Sequence, residues 1–334
     1  MKIAIVTDQP RTAFLPREEA LMEDQQKRET VMTIKEVLSE KFTCIDLVFD
    51  ENILNKLKRE EVDLVFNLCN GIRGNSRISQ LPAMLEFAGI PYTGSSPLGH
   101  ALAYNKIYAC KLFNESNIST PKFACVENLE ELEHINITLP AIVKPKDEGS
   151  SRGIYQSSLV FNKEELVKKV KECLNTYDPP VMISEYIDGR EFTVGILGND
   201  KNISVLPIVE VDFSNLPKHL HKFYSFEVKI HYEDETIYHI PAKLDENTQQ
   251  RIEEMAIKAF KVLGLRDYAR VDIRLKDGQP YVLEVNSLPG LMKGHSDITK
   301  MAEVCGLGYK GLIFTIVENA LKRYNLDYEL EFAE

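Results

Sequence analysis

The chain has 334 residues, 44% of them hydrophobic and 27% charged, which excludes a disordered or fibrous protein and leaves room for two domains or one core of several subdomains. Forty Lys and Arg against 51 Asp and Glu give a net charge of −11, and no basic run exists to wrap a phosphate backbone, so nucleic acid is excluded as the main partner. No long apolar segment is fit to span a bilayer, and six scattered cysteines without a Cys-x-x-Cys argue against zinc and for a reduced, cytoplasmic chain.

The first ninety residues alternate strand and helix patterns. Ile3–Val6 is a short apolar run, too short for a signal-peptide core. Val31, Ile34, Val37 and Leu38 recur at helical spacing within Glu23–Glu40. Phe42–Phe49 reads as a strand, Asn52–Glu60 as a short helix and Val62–Phe66 as another strand. A helix over Ile78–Ala88 ends at Gly89, a left-handed cap. This alternation predicts a parallel sheet with helices on both faces. Thr93–Pro97 marks a boundary, followed by one helix from Leu98 to Asn114. Strands are predicted at Lys122–Val126, Ala141–Lys144 and Tyr155–Phe161, with a glycine loop at 147–153 and a helix at 163–174. Asp178-Pro179-Pro180 marks the next break, which opens a last part with strands Val181–Ile187 and Phe192–Leu197. Ser214–Glu235 has no clean period and reads as a long binding loop or lid. Asp245 caps a helix that stops before Gly264. Strands Tyr268–Leu275 and Pro280–Val285 then meet across Lys276-Asp277-Gly278, a hairpin turn.

Four stretches carry candidate chemistry. Residues two apart on a strand share a face, so Arg270 projects with Asp272, and Glu284 with Asn286. If the hairpin pairs, all four share one surface, and two carboxylates with an amide oxygen form a hard site suited to Mg²⁺. A solvated hairpin would give the same local pattern; the apolar flanks Val271, Ile273, Val282 and Val285 favour a packed one. Lys144 precedes a loop with Gly149, Ser150, Ser151 and Gly153, whose N–H and hydroxyl donors suit phosphates, although an ordinary turn fits the loop as well and it is no Walker A motif. Glu185-Tyr186-Ile187, then Asp188-Gly189 and Glu191, would offer backbone to an adenine and a carboxylate to a ribose; taken alone, the stretch reads first as an ordinary hairpin. Pro289-Gly290, after Asn286, would aim N–H groups at a reacting carbonyl, with Ser296 on a substrate carboxylate and His295 structural. No Gly-x-Ser-x-Gly elbow or Gly-x-Gly fingerprint is present.

In this order the pieces resemble the ATP-grasp superfamily and its D-alanine–D-alanine ligase-like branch. The matching stretches are Gly89-Ile90-Pro91-Tyr92-Thr93-Gly94-Ser95, Asn105-Lys106, Ile142-Val143-Lys144-Pro145 with Glu148-Gly149-Ser150-Ser151, and Gly189-Arg190-Glu191-Phe192-Thr193-Val194. Phe223-Tyr224 with Glu227 and Lys229 before Pro241-Ala242, Ala269-Arg270-Val271-Asp272, and Leu283-Glu284-Val285-Asn286 with Pro289-Gly290 complete the set. The resemblance implies an α/β ATP-grasp fold: an N-terminal parallel-sheet preATP-grasp domain over 1–97 and two α+β subdomains over 98–179 and 180–334. It implies an ATP-dependent, ADP-forming carboxylate–amine ligase working through an acyl phosphate, with two Mg²⁺ (or Mn²⁺) on Asp272, Glu284 and Asn286. Lys106, Lys144 and Ser151 would touch the ATP phosphates, Glu185, Tyr186, Ile187 and Phe223 the base, and Glu191 the ribose. Arg270, the Gly290 N–H, Ser150 and the lid residue Lys229 would form the catalytic set. Small-molecule partners and a homodimer follow from the same resemblance.

The departures concentrate at the first-substrate pocket. The family's Gly-rich, Glu-bearing segment after the first strand is replaced by Thr7-Asp8-Gln9-Pro10-Arg11, and its His-Gly-x-x-Gly-Glu-Asp-Gly by Asn70-Gly71-Ile72-Arg73-Gly74-Asn75-Ser76-Arg77. The lid Tyr is Ile230, Ser184 takes the usual hinge carboxylate position, and one extra residue lies between Gly290 and Ser296. This implies the same reaction on other amino-acid-like substrates, with Arg73, Arg77 and Lys293 as carboxylate binders or as plain surface charges. A D-alanine–D-alanine ligase with an unusual first pocket and a silent nucleotide-binding regulator are the alternatives.

Overall fold

The computed structural model describes residues 1–10, 18–149 and 151–326. The N-terminal part runs β1 (Lys2–Thr7), α1 (Glu18–Ser39), β2 (Thr43–Val48), α2 (Ile53–Arg59), β3 (Leu64–Leu68) and α3 (Gln80–Ala88). Its strands form a parallel sheet in the order β2-β1-β3. Alternation along each strand sends side chains to two cores. Ile3, Ile5 and Phe66 pack with Ile34 and Leu38 of α1, whereas Ala4, Val6 and Val65 pack with the α2 and α3 residues Ile53, Leu57, Leu81 and Leu85. A strand buried on both faces reads as an unbroken apolar run, which is the pattern of Ile3–Val6.

Next come α4 (Pro97–Tyr104), α5 (Lys106–Glu115), β4 (Phe123–Val126), β5 (Ala141–Pro145), β6 (Leu159–Val160), α6 (Lys163–Thr176) and β7 (Val181–Glu185). The single helix predicted over 98–114 is two, broken at Asn105. Asn105 has φ −91° and ψ 100°, and its side chain accepts hydrogen bonds from the N–H groups of Ile107 and Tyr108, capping α5. The predicted strand at 155–161 is a 3₁₀ turn at Gln156–Ser158 followed by the two-residue β6. The central sheet has the order β4-β7-β5-β6. β7 therefore pairs with β4 and β5, not with the later strands to which the break at 178–180 would assign it.

The last part holds β8 (Arg190–Leu197), β9 (Ser204–Val205), β10 (Val209–Asp212), α7 (Phe226–His231), β11 (Ile237–His239), α8 (Glu246–Val262), β12 (Tyr268–Lys276), β13 (Gln279–Asn286), α9 (Asp297–Val304) and α10 (Gly308–Arg323). The sheet order is β11-β10-β8-β12-β13, with β9 beside β8. Phe192, Val194, Val271, Ile273 and Val282 bury against Ile252, Ala256 and Phe260 of α8. Each such buried Val, Ile or Phe side chain contributes roughly 1.5–3 kcal/mol. The alternate residues Glu191, Thr193, Arg270, Asp272 and Arg274 take the other face and line a cavity. The Ser214–Glu235 stretch is not all loop, since it contains α7, capped by Ser225, whose side chain accepts from the Val228 N–H. Among the described residues no single helix is long and apolar enough to cross a membrane.

Candidate active site

The β12–β13 hairpin closes through Asp277 and Gly278, both at positive φ (50° and 73°), as its sequence requires. Its register places Arg270 opposite Asn286 and Asp272 opposite Glu284. A bulge follows, so that Ile273 faces Val282 and Leu283 is the extra residue. Leu283 and Glu284 both line the cavity wall.

The four side chains form one hydrogen-bonded lattice. Arg270 donates from Nε and Nη2 to the two Asp272 oxygens, each at 2.9 Å, and its Nη1 lies 3.3 Å from Asp297. Asn286 Nδ2 donates to Asp272 Oδ2 at 2.9 Å and to Glu284 Oε1 at 3.4 Å. Thr193, opposite Asp272 on β8, donates its hydroxyl to Oδ1 at 2.6 Å. Burial works against the Arg270 charge, but Asp272 and Asp297 outweigh it and hold the guanidinium above its ordinary range.

Two buried lysines stand against Glu284. Lys106, the first residue of α5, has Nζ 3.3 Å from Glu284 Oε2 and donates to the Glu148 carbonyl at 2.5 Å. Burial lowers the Lys144 ammonium, while Glu284 opposes that fall. For Glu284, burial alone would raise the carboxyl; Lys106, Lys144 and Arg270 prevail and hold it at about 2. The carboxylate therefore stays ionised at neutral pH. Among the described residues no cluster of three His, Cys, Asp or Glu forms a metal site. The fitting group is mixed: Asp272, Glu284 and Asn286 converge within hydrogen-bonding distance, and rotation of the Asn286 amide would offer a third oxygen to a hard cation.

The cavity, of ≈ 460 Å³, is walled by all three parts of the chain. Glu185, Tyr186, Ile187 and Phe223 line one end, with the Tyr186 and Phe223 rings edge to face at 6.2 Å. Glu191 lies beside them, opposite Arg274 on β12. Burial raises the Glu191 carboxyl and Arg274 opposes the rise. Ser151, at φ 59°, donates its hydroxyl to the Tyr224 carbonyl at 3.2 Å; Ser150 lies outside the described residues. Lys229 on α7, Gly290 and Ser296 also line the wall. Ser296 Oγ accepts from the Met292 N–H at 3.0 Å, and a Cβ on Gly290 would stand 2.9 Å from it, so a larger residue there would have to displace the Ser296 hydroxyl.

The expected carboxylate binders separate. Arg77 is in the wall, 5.1 Å above the Tyr104 ring and 3.5 Å from Glu148. Arg73 and Lys293 are exposed and absent from the wall. Lys293 instead lies 5.8 Å from the Tyr309 ring, and Arg73 is tied through its carbonyl to Gln80. Asp8, from the divergent segment after β1, is already engaged. It accepts from Lys27 at 2.5 Å, Cys69 at 2.8 Å and the N–H groups of Asn70 and Gly71 at 3.0 and 2.7 Å. The wall also takes in Lys27, Arg152, Glu233, Arg274 and Asp297, which the sequence motifs do not single out. Of these only Arg274 carries a local signal, sharing the period-two face of Arg270 and Asp272.

Similarity to known proteins extends over most of the chain. The family model described as D-ala D-ala ligase C-terminus matches residues 112–318. An uncharacterized protein, y4sG, of Sinorhizobium fredii is 38% identical over 262 residues, covering 78% of this chain and 75% of that protein. A D-alanine–D-alanine ligase of Fervidobacterium nodosum is 35% identical over 291 residues, covering 82% of this chain and 87% of that protein. Among solved structures, a D-alanine–D-alanine ligase of Bacillus anthracis superposes with TM-score 0.76 at 25% identity, covering 97% of this chain and 99% of the other. The VanG D-Ala:D-Ser ligase of Enterococcus faecalis gives 0.71 at 25% identity, covering 96% and 99%.

Proposed function

The chain belongs to the D-alanine–D-alanine ligase-like family of the ATP-grasp superfamily, and on that premise we propose that it joins the carboxylate of one small amino-acid-like metabolite to the amine of another, with ATP and Mg²⁺. The observation that carries this reading is the Arg270–Asp272–Glu284–Asn286 lattice with Lys106 and Lys144 on its flank. A site that only binds nucleotide has no use for a half-buried arginine aimed where an oxyanion forms.

The chemistry assigned to each group follows from charge and position. Lys106, Lys144 and Lys229 neutralise the phosphates, and the hinge around Tyr186 and Ile187 takes the base. Asp272, Glu284 and Asn286 would hold Mg²⁺, which supplies charge compensation to the transferring phosphoryl group when bound. The first substrate's carboxylate oxygen attacks the γ-phosphorus; the bond to the ADP oxygen breaks and an acyl phosphate forms. The second substrate's amine then attacks the acyl carbon, inorganic phosphate leaves, and the ammonium loses its proton. Arg270 and the Gly290 N–H bear the negative charge that develops on the carbonyl oxygen. The glycine loop and the α7 lid exclude water from the acyl phosphate.

D-Alanine as both substrates is the second reading, favoured by the names of the relatives. Two observations favour another first substrate: Ile230 offers no hydrogen bond, and the Asp8 carboxylate is committed to Lys27, Cys69 and two backbone N–H groups. The test is incubation with ATP, Mg²⁺ and pools of D-amino acids, L-amino acids and small acids, following ADP formation and product mass. Turnover with D-alanine alone would replace the leading reading with the second; no ADP from any pool would contradict both. A cytoplasmic homodimer belongs to the same reading, and light scattering checks its mass.

A further inference from the structure

Arg274 has no part in the phosphate and oxyanion chemistry, yet it is 2% exposed and makes four hydrogen bonds at the cavity's hinge. Its Nε and Nη2 donate to Glu191 Oε2 at 3.0 and 2.8 Å. Nη1 donates to the Ile187 carbonyl at 2.8 Å, and Nη2 also to the Lys222 carbonyl at 2.6 Å. The guanidinium lies 4.9 Å from the Tyr186 ring, whose hydroxyl donates to the same Lys222 carbonyl at 3.1 Å. One planar group thus ties together β12, β8, the hinge after β7 and the segment leading into α7. A point charge such as a lysine ammonium has no comparable fork.

The bonds to Glu191 both fall on Oε2. Oε1 therefore has no protein donor among the described residues, although Glu191 lies in the cavity wall. A carboxylate locked by one oxygen offers the other as a preset acceptor, with little left to order when a donor arrives. We propose that Arg274 is a positioning residue for nucleotide selection: it fixes Glu191 and the 186–187 hinge so that a nucleotide with ribose hydroxyls is preferred over one without them. Through Lys222 it also ties that arrangement to the lid. This rests on the reading of Glu191 as the ribose carboxylate within the proposed function.

The test compares the dissociation constants of ATP and 2′,3′-dideoxy-ATP, measured by calorimetry with Mg²⁺. The wild type is expected to prefer ATP by about tenfold or more, the scale of hydrogen bonds to a charged group. Arg274→Met keeps the buried stem and removes the fork, so the ratio should fall toward unity through weaker ATP binding, with dideoxy-ATP little changed. Arg274→Lys should give an intermediate ratio. A role in packing alone would weaken both nucleotides together and leave the ratio intact, which overturns the proposal. If the Met variant does not fold, the Lys variant decides, and an unchanged ratio again overturns it. A wild type that binds both nucleotides equally removes the ribose role of Glu191 and the proposal with it. A wild type that binds no ATP overturns the proposed function itself.

Discussion

Glu284→Gln removes one negative charge from among three cations with almost no change in volume. At the 3.3 Å separation of Lys106 Nζ and Glu284 Oε2, Coulomb attraction is about 5 kcal/mol at an effective dielectric constant of about 20, before desolvation is subtracted. The net quantity is smaller. Burial raises the Glu284 carboxyl, the cations lower it more, and it settles at about 2 against an ordinary 4.5. That gap corresponds to about 3 kcal/mol of stability at neutral pH. Because the folded value lies below the unfolded one, the contribution is fully present above about pH 4.5 and is lost as pH falls toward 2. Metal-free wild type and Glu284→Gln, unfolded in urea, should therefore differ by about 3 kcal/mol at neutral pH and by progressively less between about pH 4.5 and 2. Equal stabilities at neutral pH, or a difference that widens on acidification, would refute the reasoning. The same substitution should abolish Mg²⁺-dependent ADP formation.

Arg270→Lys keeps the charge but cannot reproduce the paired bonds to Asp272, so kcat should fall by about 10²–10³-fold with a smaller change in KM for ATP; steady-state kinetics within a few-fold of wild type would remove the oxyanion role. Asn105→Ala deletes the cap of α5, at a cost of about 1 kcal/mol, and loosens Lys106, so urea stability should fall and KM for ATP should rise together; a stability loss with unchanged KM would separate the cap from the site. Ser225→Ala should speed amide hydrogen exchange across residues 226–231 without affecting the β12–β13 hairpin; uniform protection would show that α7 does not depend on its cap.

The hairpin that builds the site was the most legible element. Its apolar alternation, its Asp277-Gly278 turn and the two-residue spacings of Arg270 with Asp272 and Glu284 with Asn286 are all local, and the register brings the four residues together as that pattern implies. Asn105 was legible as a motif residue but not as a break, because the helical pattern runs through it and only its backbone angles separate α4 from α5. The helix α7 is six residues long, too short to establish a period, and its cap Ser225 is a common loop residue. The Arg274–Glu191 pair joins positions 83 residues apart and depends on β8 lying beside β12, a pairing with no local signature. Arg73 and Lys293 show the converse: a loop cation near a motif says nothing about its direction, and both project outside the cavity wall.

The central claim is transfer of a phosphoryl group to a carboxylate oxygen, and the fate of that oxygen tests it most directly. The measurement is turnover with the active substrate pool carrying ¹⁸O in its carboxylates, followed by mass spectrometry of the released phosphate and the product. The account requires ADP, one ¹⁸O in the phosphate, and a product lighter than the summed substrates by the water lost in amide formation. Unlabelled phosphate with no coupled product, or release of AMP and pyrophosphate, would contradict it.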